Sequence, residues 1–420
     1  MKLMHVADLH LDSPFVGLAK QHAALQKALI QSPYQAFDRC VSIAINQAVD
    51  VMVIAGDVYD SERQTIYAQH FFLEQLKRLE KAGIAVILSH GNHDYLNLER
   101  KPIAYPENVR VFPSQEVTSI DVPLSNGESA RFYGFSYTKR WVPEPMIEYY
   151  PSNRHETTYT IGCLHGSLDG TKGNYAPFSL EALKIKGYDY WALGHIHQAQ
   201  TLSEAPLIQY SGTIQGRHRH ETGDKGAYLI ELKVNQPVSS QFISLAPIVW
   251  QNATVTCQSG WQTEDVLQRV REVIENYRLE AEVSQQSQLV ELTLEQAQHL
   301  PLELQEQIER GELLLALNLS EEQAPFTVVT KVNLAHTITA EPFEYDVMLR
   351  ESFAKASEEL LSGEMYERVM QEVFQHSVMR QRLQEIIKDA DFKREISQSA
   401  RQQMIQAIGV DLDEEGSDEN

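Results

Sequence analysis

The sequence predicts an α/β protein in which two β-sheets pack face to face with helices outside, followed by a small α+β cap and a C-terminal helical region. Three observations predict it. Residues 1–113 alternate short apolar β-rich runs with helical spacing, the rhythm of a parallel sheet covered by helices. Beyond Pro113 the helical spacing thins out and apolar runs recur at short intervals. Five polar clusters each follow an apolar run directly, and the carboxyl ends of strands are where α/β sheets gather their ligands.

In chain order, Leu3–Ala7 is the first expected strand, and residues near 18–31 and 34–49 show helical spacing. Val51–Ala55 reads as a short buried strand, 65–82 as an amphipathic helix closed by Gly83, and Ile84–Leu88 as the next strand. Runs at 117–122, 130–135, 159–164, 190–193, 207–210 and 226–232 supply the remaining strands of the sandwich. A boundary is placed near 250, giving a first domain of 1–250. Strands at 253–257, 289–293 and 327–333, with a helix around 263–278, suit an α+β cap over 251–335. Residues 336–410 are strongly helical in pattern, and the acidic end, 411–420, is expected to be disordered.

Charge divides the chain unevenly. Of the net −22, residues 1–250 carry 22 Lys+Arg against 25 Asp+Glu, and the remainder carries 14 against 33. The acidic part repels nucleic acid and suits a protein partner better. No window approaches the roughly 20 apolar residues of a membrane span. The opening MKLMHVADLHL lacks the basic stretch and cleavage site of a secretory signal, so it reads as a strand of a cytoplasmic protein. Cys40, Cys163 and Cys257 are odd in number and widely spaced, which fits reduced core thiols rather than a disulfide framework.

The five clusters are Asp8-Leu9-His10, Gly56-Asp57-Val58-Tyr59-Asp60, Gly91-Asn92-His93-Asp94, His165 within CLHG, and Gly194-His195-Ile196-His197. On a strand, positions i and i+2 face one way, so Asp8 and His10 can reach one metal. Imidazole with carboxylate, and no thiolate set, suits Mn, Fe or Zn. Two Asp, one Asn and four His exceed the needs of one ion but suffice for two that share a carboxylate about 3.5–4 Å apart. Such a pair clamps a phosphoryl group and stabilises both attacking and leaving oxygens. Taken singly, each cluster has a plainer reading as a turn, a helix cap or a satisfied core histidine. Their order and shared strand context favour the joint one.

In that order the clusters resemble the signature of the calcineurin-like metallophosphoesterases: D-x-H, G-D-x-x-D, G-N-H-D, a single H, then G-H-x-H. The longer pattern, which continues through YSGTIQGR, resembles the bacterial DNA repair exonucleases of the SbcD and YhaO type. The resemblance implies that Asp8, His10 and His197 bind one metal, that Asn92, His165 and His195 bind the other, and that Asp57 bridges them. It implies that His93 is the general acid for the leaving oxygen, or stabilises the phosphoryl oxygens, and that Asp60 orients His93 by a hydrogen bond. Many nucleases of the double-strand-break branch carry His where this chain has Asp60, so here it follows the broader phosphoesterase form. Two Mn ions, DNA as substrate, an SbcC-like or YhaN-like SMC-type ATPase partner and a homodimer are implied in the same way. The cap would guide DNA, and apolar helical positions such as Val347, Met348, Phe353 and Leu360 would either dock the ATPase or pack on their own domain.

Two basic groups stand outside the signature. Arg217 and Arg219 follow a strand ending at Tyr210 and would clamp a phosphate backbone or sit on a solvated hairpin. Lys139, Arg140 and Trp141 form a basic-aromatic cluster that would stack a base or be an ordinary surface loop. Since a fold does not fix its substrate, a nucleotide phosphodiesterase and a protein phosphatase are rivals on the same site. A non-catalytic scaffold for the ATPase is a third reading, and the intact ligand set argues against it.

Overall fold

The computed structural model describes residues 1–13, 23–60, 64–96, 104–168, 173–318 and 324–336, with isolated positions at 348, 351, 352 and 355. The sandwich begins with β1 (Lys2–Val6), α1 (Ala23–Asn46), β2 (Val51–Ala55), α2 (Ile66–Lys81), β3 (Ala85–Ser89) and β4 (Val109–Val111). It continues with β5 (Thr118–Pro123), β6 (Ser129–Gly134), β7 (Tyr159–His165), α3 (Leu180–Lys184), β8 (Tyr190–Gly194), β9 (Gln200–Glu204), β10 (Leu207–Tyr210), β11 (Gly226–Glu231) and β12 (Ser239–Ser244). Then come β13 (Ile248–Thr256), α4 (Thr263–Ser284), β14 (Ser287–Glu295), α5 (Leu302–Glu309), α6 (Glu312–Leu317) and β15 (Thr327–Ala335).

The first sheet runs β12-β11-β1-β2-β3-β4 and the second β5-β6-β7-β8-β10-β9. Each has four adjacent parallel strands, β1 to β4 at one side of the first sheet and β6, β7, β8 and β10 in the middle of the second, and antiparallel strands complete the sheet. Period-2 alternation explains the packing. Val51, Val53 and Ala55 of β2 meet Tyr159, Ile161 and Cys163 of β7 in the core between the sheets. Met52 and Ile54 point the other way, under α1 and α2. Trp191 and Leu193 of β8 face the outer layer with Phe178 and Leu183. Strands buried on both faces read as unbroken apolar runs. That is why β1, β2, β3, β7 and β8 are visible in the sequence.

The structure departs from expectation in several elements, among them the short helices α3, α5 and α6, which were not foreseen. One helix, α1, replaces the two expected, and it runs through Pro33. Proline removes the N–H that would bond the carbonyl four residues back, here Leu29, and the Ser32 hydroxyl donates to that oxygen at 2.7 Å instead. The strands β4, β9 and β12 were not foreseen: they are sheet edges, β4 only three residues long and β9 and β12 built of half-exposed polar residues in place of an apolar run. Helix α4 continues to Ser284, past the expected end near 278.

The chain resolves into two compact units. One comprises 1–255, 262–293 and 306–333. Within it Leu25 and Leu29 of α1 pack with Ile248, Trp250 and Leu289, and the last three strands form a separate sheet, β13-β14-β15. The other comprises, among the described residues, 256–261, 294–305 and 334–336 with the isolated positions beyond, and there the Cys257 N–H donates to the Glu295 carbonyl at 2.8 Å. The predicted helical region, including Val347, Phe353 and Leu360, and the acidic end 411–420 lie outside the described residues, apart from His336 and the four isolated positions. All three cysteines are buried free thiols. Among the described residues no helix is long and apolar enough to cross a membrane.

Gly162 of β7 lies beneath the Trp191 ring, where an added Cβ would sit 2.2 Å from the nearest ring carbon. Gly162→Ala is therefore expected to cost about 1–3 kcal/mol of stability through overpacking. Denaturant unfolding followed by tryptophan fluorescence measures this, and an unshifted midpoint would show that Trp191 moves aside freely.

Candidate metal centre

Five loops converge at the carboxyl edges of the two sheets. Asp8 and His10 follow β1, Asp57 and Asp60 follow β2, and Asn92 and His93 follow β3. His165 ends β7, and His195 and His197 follow β8. The first pair does not lie on a strand, as its spacing suggested: β1 ends at Val6, and Asp8 and His10 adopt left-handed backbone with φ of 51° and 44°. Asp57 does the same at 51°. The loops are laced together by main-chain bonds, Asp8 N–H to Gly56 O at 3.1 Å and His10 N–H to Asp57 O at 3.1 Å. Asp94 ties the second loop to the third, accepting from Val58 N–H at 2.9 Å and Gly91 N–H at 2.8 Å. Close approach excludes side chains at two glycines. A Cβ on Gly91 would fall 2.2 Å from Asp57 Oδ1, and one on Gly56 2.3 Å from His165 Nδ1.

All seven predicted ligands are brought together. Asp8, His10 and His197 offer ligand atoms within 4.8 Å of one another, as do Asp8, Asp57 and His165. Asn92 Oδ1 lies 3.0 Å from both His165 Nε2 and His195 Nδ1. Asp57 Oδ2 is 3.4 Å from His165 Nε2 and 3.9 Å from His10 Nε2, so it stands between the two sets. His10 Nε2 faces His197 Nε2 at 3.0 Å. Two nitrogen ligands about 2.1 Å from one ion are about 3 Å apart when adjacent in an octahedron. Buried carboxylates and imidazoles at these distances fit a cation pair.

The electrostatics agree. Burial opposes charge on His165, but the Asp57 and Asp8 carboxylates outweigh it and raise its pKa to about 9. Asp57 is held well below the usual carboxylate range, burial notwithstanding, chiefly by His165. Burial, reinforced by neighbouring cationic groups, pulls His10 well down and His195 to about 3. Those two rings are held neutral, each with one nitrogen lone pair to offer.

His93 sits at the rim. Its backbone N–H donates to Asp57 Oδ1 at 2.9 Å, and its ring lies edge-on to His10, 4.9 Å between centroids. Asp60 contacts it through the main chain, not the carboxylate: His93 Nδ1 donates to the Asp60 carbonyl at 2.9 Å. The Asp60 carboxylate instead holds Arg217 Nη1 and lies 3.2 Å from His10 Nδ1. Arg217 is thus inside the site, whereas Arg219 turns to Glu291 of β14 at 3.7 Å. Trp141 is exposed beneath the Arg140 guanidinium, 5.6 Å from its ring centroid. Lys139 pairs with Glu144 at 3.5 Å.

Sequence reasoning missed three participants. Glu221 accepts from His197 Nδ1 at 2.6 Å. Tyr175 packs at a tilt against His195, 4.5 Å between centroids. The Tyr137 hydroxyl donates to the His165 carbonyl at 3.0 Å. None stands at a motif spacing from its partner. Only Asp94, inside the G-N-H-D cluster, carried a visible signal.

Residues 1–199 match the family described as calcineurin-like phosphoesterase. The chain is 36% identical over 281 residues to the uncharacterized metallophosphoesterase YhaO of Bacillus subtilis, covering 66% of this chain and 68% of that one. It is 25% identical over 248 residues to the DNA double-strand break repair protein Mre11 of Sulfolobus acidocaldarius, covering 56% of this chain and 62% of that one. Against Mre11 of Methanocaldococcus jannaschii the figures are 25% over 250 residues, 56% and 63%. The chain thus spans just under two thirds of those two Mre11 proteins.

Gly91→Ala is expected to displace Asp57 from the metal-ligating groups while leaving the sandwich folded. Calorimetric titration with Mn²⁺ should show at least a tenfold loss of affinity, on the order of what perturbing a metal's supporting shell costs. Wild-type affinity in this variant would mean that Asp57 has slack the packing does not reveal.

Proposed function

Because the chain belongs to the calcineurin-like metallophosphoesterases, whose sites hold two metal ions, we propose that it is a Mn-dependent phosphodiesterase acting on DNA as an exonuclease or endonuclease in repair. Asp8, His10 and His197 would hold one ion, Asn92, His165 and His195 the other, and Asp57 would serve both. Two divalent cations bound there would supply Lewis acidity and lower the pKa of a water. The observation that carries the reading is Asp57, a buried carboxylate within 4 Å of histidines from both ligand sets.

The protein's own groups do the rest. A carbonyl only accepts, so His93 Nδ1 keeps its proton toward Asp60 O, and Nε2 is the nitrogen that takes up a second proton and, from the imidazolium, gives it to the leaving oxygen. The His93 N–H to Asp57 fixes the loop on which that ring sits. Arg217 is the cation placed to meet a phosphate. DNA as substrate draws support from the relatives named for double-strand break repair and from the wider resemblance. The same resemblance supports a DNA-guiding cap over 251–335, an SMC-type ATPase partner for 336–410, a homodimer and a cytoplasmic location. A second reading, phosphoesters other than DNA, is favoured by one observation: Arg217 is already held by Asp60 and Glu221.

Labelled linear and hairpin DNA with Mn²⁺ separates the two, with bis(p-nitrophenyl) phosphate as a generic diester. Wild type should cleave DNA, chelation should stop it, and Asp57→Ala should be inactive. His93→Ala should lower kcat by about 10²- to 10⁴-fold with metal still bound. Cleavage of the generic diester without any cleavage of DNA would overturn the nuclease assignment and favour the second reading.

A further inference from the structure

Glu221 lies on none of the five loops that carry the ligands. It sits between β10 and β11 in the turn after Arg217, and it is 8% exposed. A carboxylate buried to that degree costs several kcal/mol unless both oxygens are answered, and here they are. Oε1 is 2.6 Å from His197 Nδ1. Oε2 accepts the Arg217 backbone N–H at 2.6 Å. His218 Nε2, at 3.4 Å, and Arg217 Nη2, at 3.9 Å, complete its surroundings.

A carboxylate only accepts, so the short contact puts the His197 proton on Nδ1. Nε2 is then left with its lone pair, and that is the atom turned toward His10 Nε2 at 3.0 Å. Without Glu221 the imidazole is free to flip or to take the other tautomer, and either change withdraws the lone pair from the site. The second oxygen holds the backbone at Arg217, whose guanidinium reaches Asp60 and lies 3.2 Å from His197 Nδ1. One side chain therefore sets both a metal-ligating imidazole and the cation beside it.

We propose that Glu221 is a positioning residue of the metal centre, fixing the tautomer and orientation of His197 through one oxygen and the Arg217 turn through the other. The proposal rests on the two-metal reading and adds to it a residue that the loop motifs do not contain.

The test is Mn²⁺ binding, by calorimetry and by competition with a fluorescent chelator, to wild type, Glu221→Ala, Glu221→Gln and Glu221→Asp. Wild type should bind two ions. Glu221→Ala should lose about 10- to 100-fold in affinity for one of them and keep the other. Glu221→Gln, similar in shape but uncharged, should lie between, and Glu221→Asp should recover part of the loss. Diester hydrolysis by the Ala variant should return toward wild type as Mn²⁺ is raised. Should the Ala variant fail to fold by circular dichroism, the Gln variant carries the comparison. Wild-type affinity for both ions in folded Ala and Gln variants would overturn the proposal, even if the metal-free proteins melted earlier. Wild type that takes up no Mn²⁺ would overturn the two-metal reading, and this assignment with it.

Discussion

A carboxylate withdrawn from water is tolerable only where charge and hydrogen bonds meet it on every side, and Asp57 is the point at which this protein solves that problem. It is 1% exposed. One oxygen accepts the His93 N–H, and the other faces His165 and His10. These three partners come from the loops after β3 and β1 and from the last residue of β7, drawn from both sheets. The sandwich must therefore hold its carboxyl edges in register for Asp57 to be satisfied at all. The bare Cα of Gly91 has the same origin, since any side chain there would enter the space of the carboxylate. The remainder of the site is arranged around that one anion.

Such convergence is strained. Asp8, His10 and Asp57 take left-handed backbone, at a cost of order 1–3 kcal/mol for each non-glycine residue. It is offset locally by the main-chain bonds between the first two loops and by the two N–H groups that Asp94 accepts. More of it is absorbed by the strands behind, whose side chains alternate between two dry layers and leave the loop stems no room to relax. The strain buys alignment: with alternating left-handed residues, buried Leu9 points into the core while Asp8 and His10 both reach the centre.

The same features explain what was legible in the sequence. The strands preceding the ligands are buried on both faces, so their apolar runs are unbroken and the polar clusters stand out against them. The edge strands β9 and β12 have polar, half-exposed residues and no such contrast. The Asp8–His10 spacing led to the right neighbours by the wrong geometry, because period two also arises in a left-handed loop. Asp60 was expected to orient His93 by a hydrogen bond, and the bond present runs to its main-chain oxygen. A carbonyl contact leaves no mark on residue type, and here the carbonyl faces His93. Glu221 was invisible for a related reason: its partner His197 lies 24 residues away across β9 and β10, and no local pattern joins them.

Charge in the centre has a consequence for substrate. Asp8, Asp57, Asp60 and Glu221 confront one guanidinium, Arg217, and one imidazolium, His165, with its pKa near 9. Formally, the metal-free centre is negative and repels a phosphodiester. With two divalent cations bound and the His165 proton displaced, the same groups become net positive. The acidic balance of residues 251–420 adds no attraction at long range, and beyond about 8 Å physiological salt screens exposed charge in any case. Capture of a phosphoester is then a short-range event that depends on metal loading. Arg217 has a part in it only if the incoming phosphate displaces Asp60, a carboxylate that burial already makes easier to protonate.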